Sequence, residues 1–460
     1  MIAKSDNTTM DFGFNLASLR ESRKVKETEF EINHPKSKEL FERALTLMPG
    51  GNTRYQVFFK PFPFYASRGN GCRLFDVDEF EYIDLVNNYT SLIHGHANAS
   101  IIGTLHEQVA SSTAFGAPSS LEVDLAEELT KRFTSIKTIR FTNSGTEAVH
   151  YAIRTARAFT NREDVIKVEG GYSGGVDAVQ VSVKKLGAKP TDSVPEYGVP
   201  DAQREHTHII PFNDIEGALK KIREIGSNCA CLVIEPIQGS AGTLPGDIEY
   251  LKEIRKITLE LGIVLIFDEV WSARVSFGGA QEIYGIEPDI TALGKIIGGG
   301  LPVGAFGGRS DIMAVNDQQR SEFVMHAGTY NANPLTMSAG LASMKLLTRE
   351  KTSEINRRGD YLRNRINEIA VSKSVPICAS GVGSLLQVHT GYSPPKSFRE
   401  AISRPMDAQG LLFYLMLERG CFLAPGRCTM NISTAINDED IAIIESALTS
   451  SVEELQKCVR

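Results

Sequence analysis

The sequence predicts an α/β fold built on a mainly parallel sheet. From about residue 97 to 330, short apolar runs rich in β-branched residues alternate with helical stretches. Such alternation covers both faces of a parallel sheet with helices. The run Ile263–Phe267 is apolar throughout rather than at every second position, and Ile290–Leu293 is interrupted only by Thr291, as strands buried on both faces are. At 460 residues the chain is long enough for a large core and more than one domain.

Residues 1–35 are polar and weakly patterned and read as an arm or a short helix. In KSKELFERALTLM, 36–48, Leu40, Phe41, Ala44, Leu45 and Met48 recur at helical spacing, and Pro49-Gly50-Gly51 stops the helix. From Asn52 to Val86, short β-rich runs alternate with turns, as in an antiparallel meander. Strands are then predicted at Thr138–Phe141, Val165–Val168, His208–Pro211 and Cys231–Ile234. The intervening helices are Ser144–Phe159, Ile215–Ile225 and Leu251–Leu261. Lys295 is followed by the glycine-rich GGGLPVGAFGG, in which no strand is read. Beyond about 335 the helices lengthen and strands become few. The expected division is an N-terminal segment at 1–96, a large domain at 97–335 and a small C-terminal domain at 336–460.

Composition narrows the partners. The net charge is 49 − 56 = −7, and without a basic stripe nucleic acid is not expected. No apolar run approaches a membrane span. The seven cysteines are odd in number and lack Cys-x-x-Cys spacing, so neither a disulfide framework nor a zinc site is expected and a reducing, cytoplasmic compartment fits. The pair in His94-Gly95-His96 is too closely spaced to ligate from one helix face, and no metal site is expected.

Four stretches carry chemistry. Ile263–Phe267 ends in Asp268 and Glu269, and Ile290–Leu293 leads to Lys295. Ligands of parallel sheets sit beyond the carboxyl ends of the strands, so Asp268 and Lys295 are expected to face one crevice. There a lysine can form a Schiff base with an aldehyde cofactor, and a carboxylate can keep a pyridine nitrogen protonated. Ser144-Gly145-Thr146-Glu147 has the Ser-x-x-Glu capping-box pattern at a strand-to-helix junction. Its free N–H groups and positive dipole end suit a phosphate. Tyr172, flanked by glycines in GGYSGG, has a ring able to lie on a planar cofactor. Gly328 and Thr329 offer a further N–H and hydroxyl. Together these point to pyridoxal 5′-phosphate. A phosphate-binding module without enzymatic activity is the reading from another class.

In this order, SGTEA, GGY-x-GG, FDEV, LGK-x-IGGG and GTYNANP resemble a class III aminotransferase of the pyridoxal-phosphate fold type I, over roughly residues 36–460. Within it the chain resembles the glutamate-1-semialdehyde aminomutase branch, and inside that branch the bacterial β-phenylalanine aminotransferases. The resemblance implies a large domain with a mainly parallel sheet and a smaller α+β domain built from N- and C-terminal segments. It also implies site roles. Lys295 forms the Schiff base and shuttles the proton, and Asp268 pairs with the pyridinium nitrogen. Tyr172 and Val270 cover the two ring faces, while Ser144, Gly145 and Thr146 hold the phosphate. Thr329 is similar to a threonine that reaches the phosphate of a neighbouring subunit, which implies a homodimer with shared active sites. Arg54, in MPGGNTRYQVFFKPFPF, is similar to an arginine that binds the substrate carboxylate. Arg427, in FLAPGRCTMNIS, is similar to one that binds a dicarboxylic partner, with the spacing shifted by one residue. Arg274, six residues after Asp268, matches the β-phenylalanine enzymes, whereas the aminomutases have one residue more. Ser173 departs from the family's usual histidine. The expected activity is transfer of an amino group from an amino acid, such as an aromatic β-amino acid, to a keto acid (2-oxoglutarate or pyruvate). The alternatives are glutamate-1-semialdehyde 2,1-aminomutase and an ω-transaminase of other amines.

Overall fold

The structure, a computed structural model, describes residues 12–182 and 194–460. The chain forms two compact units, Asn88–Asn356 and a smaller one made of the chain up to Asn87 together with Arg357–Arg460.

The larger unit is built on a seven-stranded sheet. In chain order its strands are β1 (Thr138–Thr142), β2 (Asp164–Val168), β3 (Thr207–Ile210), β4 (Cys229–Ile234), β5 (Val264–Asp268), β6 (Ile290–Gly294) and β7 (Gly304–Gly308). Across the sheet they run β1-β7-β6-β5-β4-β2-β3. Neighbours from β6 to β3 are parallel, and β7 is antiparallel to both β6 and β1. The expected α/β sheet is therefore present, and each predicted strand lies within a residue or two of its observed place.

The helix Gly145–Thr160 shows how the layers close. Ala148, Ala152 and Ala156 recur on one face and are fully buried. Small side chains there let the helix lie close to Val165, Val233, Ile266, Ile290 and Phe306. Each large aliphatic side chain so buried contributes about 1.5–3 kcal/mol. The helix ends at Asn161, which adopts the left-handed conformation (φ 54°) that an asparagine tolerates.

β7 was not read from the sequence. Its residues, GAFGG, look like loop, but glycine is required there by close backbone approach. A Cβ on Gly304 would lie 2.0 Å from the Ser144 carbonyl oxygen, and one on Gly308 would lie 2.1 Å from that of Asp289. Pairing with strands on both sides compensates for the low intrinsic strand preference of glycine. The expected start of a small domain at 336 also differs from what is seen, because the helix Pro334–Leu346 belongs to the larger unit, packed on the helices Ala99–Ser111 and Ser120–Arg132.

The smaller unit does join N- and C-terminal segments. Ala66–Asn70, Arg73–Asp76 and Glu81–Asp84 form the expected meander, and Cys421–Phe422 adds to its edge in parallel. Ile377–Val382, Leu385–Thr390 and Thr429–Asn431 form a second antiparallel sheet. Residues Leu16–Asn33 form an 18-residue helix rather than an arm or a short helix. Only Leu19 and Phe30 are buried on it, so its pattern is faint. Its polar residues are occupied instead by ion pairs to the helix Asp407–Glu418 region, Arg20 to Asp407 at 2.7 Å and Lys26 to Glu418 at 2.9 Å. All seven cysteines are buried, unpaired thiols.

Gly304→Ala is expected to cost about 3 kcal/mol or more, since its methyl meets backbone rather than a movable side chain. Gly103→Ala, in an exposed helix with nothing within 4 Å of the new methyl, is expected to stabilise by about 0.5–1 kcal/mol. Urea denaturation of both variants checks the contrast.

Candidate active site

Parallel pairing brings the expected acid and amine together. Asp268 closes β5 in register with Ala292 of β6, and Lys295 follows that strand directly. Lys295 has a φ of 50°, in the left-handed region, a conformation that costs a non-glycine residue about 1–2 kcal/mol and often marks a functional position.

Asp268 is 3% exposed. Its Oδ1 accepts from the Val270 N–H at 3.1 Å, and the Ser173 hydroxyl donates to the same carboxylate. Burial raises its pKa, while Lys295 and these hydrogen bonds pull the other way. Burial lowers the pKa of Lys295, against the pull of Asp268 and of Glu235. Glu235 is a second buried acid, placed as Asp268 is. It follows β4, whose Ile234 pairs with Phe267. It accepts from the Tyr172 N–H at 2.7 Å and the Gly239 N–H at 3.1 Å. Burial, with Asp268 beside it, pushes its pKa up to about 8. Glu235 was missed, although the signal that singled out Asp268, a carboxylate closing an apolar strand, applies to it equally.

The two acids of Asp268-Glu269 have separate roles. Glu269 faces its own loop, accepting from Ala280 N–H at 2.7 Å, Gln281 N–H at 2.9 Å and the Ser272 hydroxyl at 2.8 Å. Arg274, in the same loop, is fully buried, and burial lowers its pKa to about 9.

The helix N-terminus at Ser144 adjoins both strand ends. Ser144 Oγ accepts from the Glu147 N–H at 3.1 Å, half of the expected capping box. The other half is shifted by one residue, because Glu147 accepts from the Asn143 N–H at 2.8 Å rather than from that of Ser144. The Gly145 and Thr146 N–H groups lie in the first turn, where no intrahelical acceptor exists. A Cβ on Gly145 would lie 2.9 Å from the Val270 methyls, so the Asp268 loop abuts this turn. A Cβ on Gly174 (φ 91°) would lie 2.7 Å from Thr146 Cα, and the Gly175 N–H donates to Thr146 Oγ1 at 3.4 Å. The Tyr172 loop therefore reaches the same turn, with Tyr172 itself half exposed.

Buried Lys167 fastens that loop, donating to the carbonyls of Gly171 at 3.1 Å and Val179 at 2.7 Å. It too was missed; a lone lysine inside the strand DVIKV was its only signal. Trp271, the chain's one tryptophan, was not singled out either. Its ring centroid lies 5.2 Å from Lys295 Nζ. Thr329 is exposed in a turn that Asn331 ties to the residue before Ser144, through Asn143 Nδ2 donating to Asn331 Oδ1 at 2.9 Å. Arg54 and Arg427 belong to the smaller unit, both exposed, Arg54 just before the short helical turn Tyr55–Val57 and Arg427 in the turn before Thr429–Asn431.

These residues fit pyridoxal phosphate. A phosphate suits the glycine-lined helix start. A ring nitrogen suits Asp268, a carboxylate held by Val270 and Ser173. An aldehyde suits Lys295, an amine whose pKa burial has lowered.

The Glu235 carboxyl implies a pH signature in the cofactor-free protein. Its folded pKa, about 8, stands above the ordinary 4.5, so the folded state holds a proton that the unfolded state has released. Its contribution is complete below the unfolded value and is lost as pH rises through about 8. Glu235→Gln removes this component. Urea midpoints measured across that window should fall less steeply with pH in the variant than in the wild type.

Comparison with known proteins agrees with this geometry. The family model for aminotransferase class-III matches residues 55–448. The chain is 38% identical over 426 residues to a glutamate-1-semialdehyde 2,1-aminomutase of Methanosphaera stadtmanae, covering 92% of this chain and 99% of the relative. An ω-transaminase structure from Sphaerobacter thermophilus is 39% identical with a TM-score of 0.88, covering 91% of this chain and 97% of that one. A β-phenylalanine aminotransferase from Variovorax paradoxus is 32% identical with a TM-score of 0.88, covering 95% and 98%. With its sheet order, its buried Asp268 near Lys295 and its glycine-lined helix start, the chain belongs to the aminotransferase class-III family, enzymes that work with pyridoxal phosphate.

Proposed function

We propose that this enzyme moves an amino group on small, carboxylate-bearing amino compounds at the Lys295 site, as a cytosolic homodimer. The buried Asp268 and the nearby Lys295, at the ends of adjacent parallel strands, carry this reading.

When bound, pyridoxal phosphate supplies an electron sink for the carbanion left at the reacting carbon. The chain's residues do the rest. Lys295 is the amine that holds the aldehyde and then takes and returns the proton, and its lowered pKa leaves more neutral amine for both tasks. Asp268 holds the proton on the ring nitrogen, with Ser173 and the Val270 N–H supporting it as a carboxylate. Gly145 and Thr146 N–H groups and the Ser144 and Thr146 hydroxyls hold the phosphate. Tyr172 and Val270 flank the ring. Thr329 serves the phosphate of the partner subunit's site. Arg54 clamps the substrate carboxylate bidentately, and Arg427 binds a second carboxylate.

Two outcomes divide the support. The curated relatives, aminomutases by name, favour 2,1-aminomutation of glutamate 1-semialdehyde over the β-amino-acid reading from sequence. The more similar solved structures, transaminases by name, favour transfer between two compounds, with an aromatic β-amino acid as donor. The segment around Arg54 and the spacing of Arg274 support the second outcome.

A substrate panel separates them. Turnover of glutamate 1-semialdehyde without any keto acid establishes the aminomutase; turnover of β-phenylalanine only with 2-oxoglutarate or pyruvate establishes the transaminase. Lys295→Ala is expected to abolish the borohydride-sensitive visible absorbance and to lower the rate more than about 10³-fold. Arg54→Ala should raise KM for carboxylate-bearing donors about 10- to 100-fold and leave simple amines unchanged. Equal losses for both would remove Arg54 from the substrate site.

A further inference from the structure

Trp271 lies three residues after Asp268 and is the only tryptophan of the chain. Two observations fix its ring. Its face lies 5.2 Å from Lys295 Nζ, within cation–π distance. The ring also lies close to the backbone of Gly239, where a Cβ would lie 3.0 Å from Trp271 Cδ2. Gly239 is itself held by Glu235, which accepts its N–H at 3.1 Å. The indole thus adjoins both a backbone tied to the buried acid and the amine of the site. Its Nε1 is buried, and among the described residues it has no hydrogen-bond partner. A buried donor left unmade is costly, and tryptophan N–H groups usually find an acceptor when buried. Phenylalanine would fill much of the same space without that cost. An indole at this place therefore suits an acceptor that arrives with the bound molecule.

We propose that Trp271 is a binding residue of the Lys295 site, its indole N–H donating to an anionic oxygen of the bound molecule while its ring face supports the positive charge on the Lys295 nitrogen. The inference rests on the proposed amino-group chemistry at Lys295. Two oxygens share the required chemistry, the phenolate of pyridoxal phosphate and the carboxylate of the amino substrate. Hydrogen bonding to either favours its charged form. Trp271 would thereby tune the cofactor's phenol ionisation or help to select carboxylate-bearing substrates.

The single tryptophan makes this testable by emission as well as by activity. Cofactor-free wild-type protein is titrated with pyridoxal 5′-phosphate while tryptophan emission and visible absorbance are followed together. Emission should fall by about half or more as the visible band appears, because the sole indole adjoins the amine that holds the cofactor. W271F keeps a ring against Gly239 and removes the N–H. If the phenolate is the partner, the pH at which the visible band changes should rise by roughly one unit in W271F. If the carboxylate is the partner, KM for the donor identified by the panel, β-phenylalanine or glutamate 1-semialdehyde, should rise about tenfold with kcat little changed. Unquenched emission despite a full visible band would overturn the proposal, as would a W271F protein that moves neither the band's pH nor KM. In both cases the Lys295 chemistry stands. A wild-type protein that forms no borohydride-sensitive band would instead remove the proposed function. The wild-type emission needs no variant, so the proposal stays falsifiable if W271F fails to fold.

Discussion

Burying charge at the ends of three neighbouring strands is the constraint on which the larger unit depends. Asp268 closes β5, Glu235 and Lys295 directly follow β4 and β6, and burial opposes the charged form of each. Taking one ion out of water costs several kcal/mol. The cost is offset by arrangement. Asp268 has Lys295 nearby, a backbone N–H and the Ser173 hydroxyl. Glu235 has two backbone N–H groups and, near neutral pH, the option of holding a proton. One amine, Lys295, interacts with both acids and favours the charged form of each.

The hydrogen bonds that settle these charges also shape the loops. Glu235 pins the backbone of Tyr172 and of Gly239, so one carboxylate positions both the Tyr172 loop and the backbone under Trp271. Lys167 anchors the other side of the Tyr172 loop through two carbonyls. Close backbone approach completes the arrangement. Gly145 meets Val270, Gly174 meets Thr146 and Gly304 meets the Ser144 carbonyl, each at a distance that excludes a side chain. The helix start, the Tyr172 loop and the Asp268 loop converge because glycine stands at each crossing. Glu269, adjacent in sequence to Asp268, acts on the other side of the strand end and folds the loop that carries Trp271 and Arg274.

Much of this was legible before the fold was known, for local reasons. Apolar runs of strand length, a Ser-x-x-Glu helix start and acids or amines at the ends of such runs are signals carried by a few consecutive residues. They located the strands from Thr138 to Gly294, the capped helix start at Ser144 and the acid and amine at the ends of adjacent strands. The strand Gly304–Gly308 was illegible because its residues are chosen by what crosses them, not by strand preference. The helix Leu16–Asn33 was faint because ion pairs, rather than an apolar stripe, occupy much of its surface. Glu235 lay within reach of the same strand-end rule and went unread.

The sequence by itself determined the fold class, the family and the presence of an acid and an amine at adjacent strand ends, since periodicity and strand-end chemistry act over neighbouring residues. Only the tertiary structure decided which groups serve them. Ser173 meets Asp268, Glu235 meets the Tyr172 backbone, and the Trp271 ring meets Lys295 across separations in sequence that no local pattern spans. Those meetings follow from strand register and from glycine crossings, which exist only once the sheet has closed.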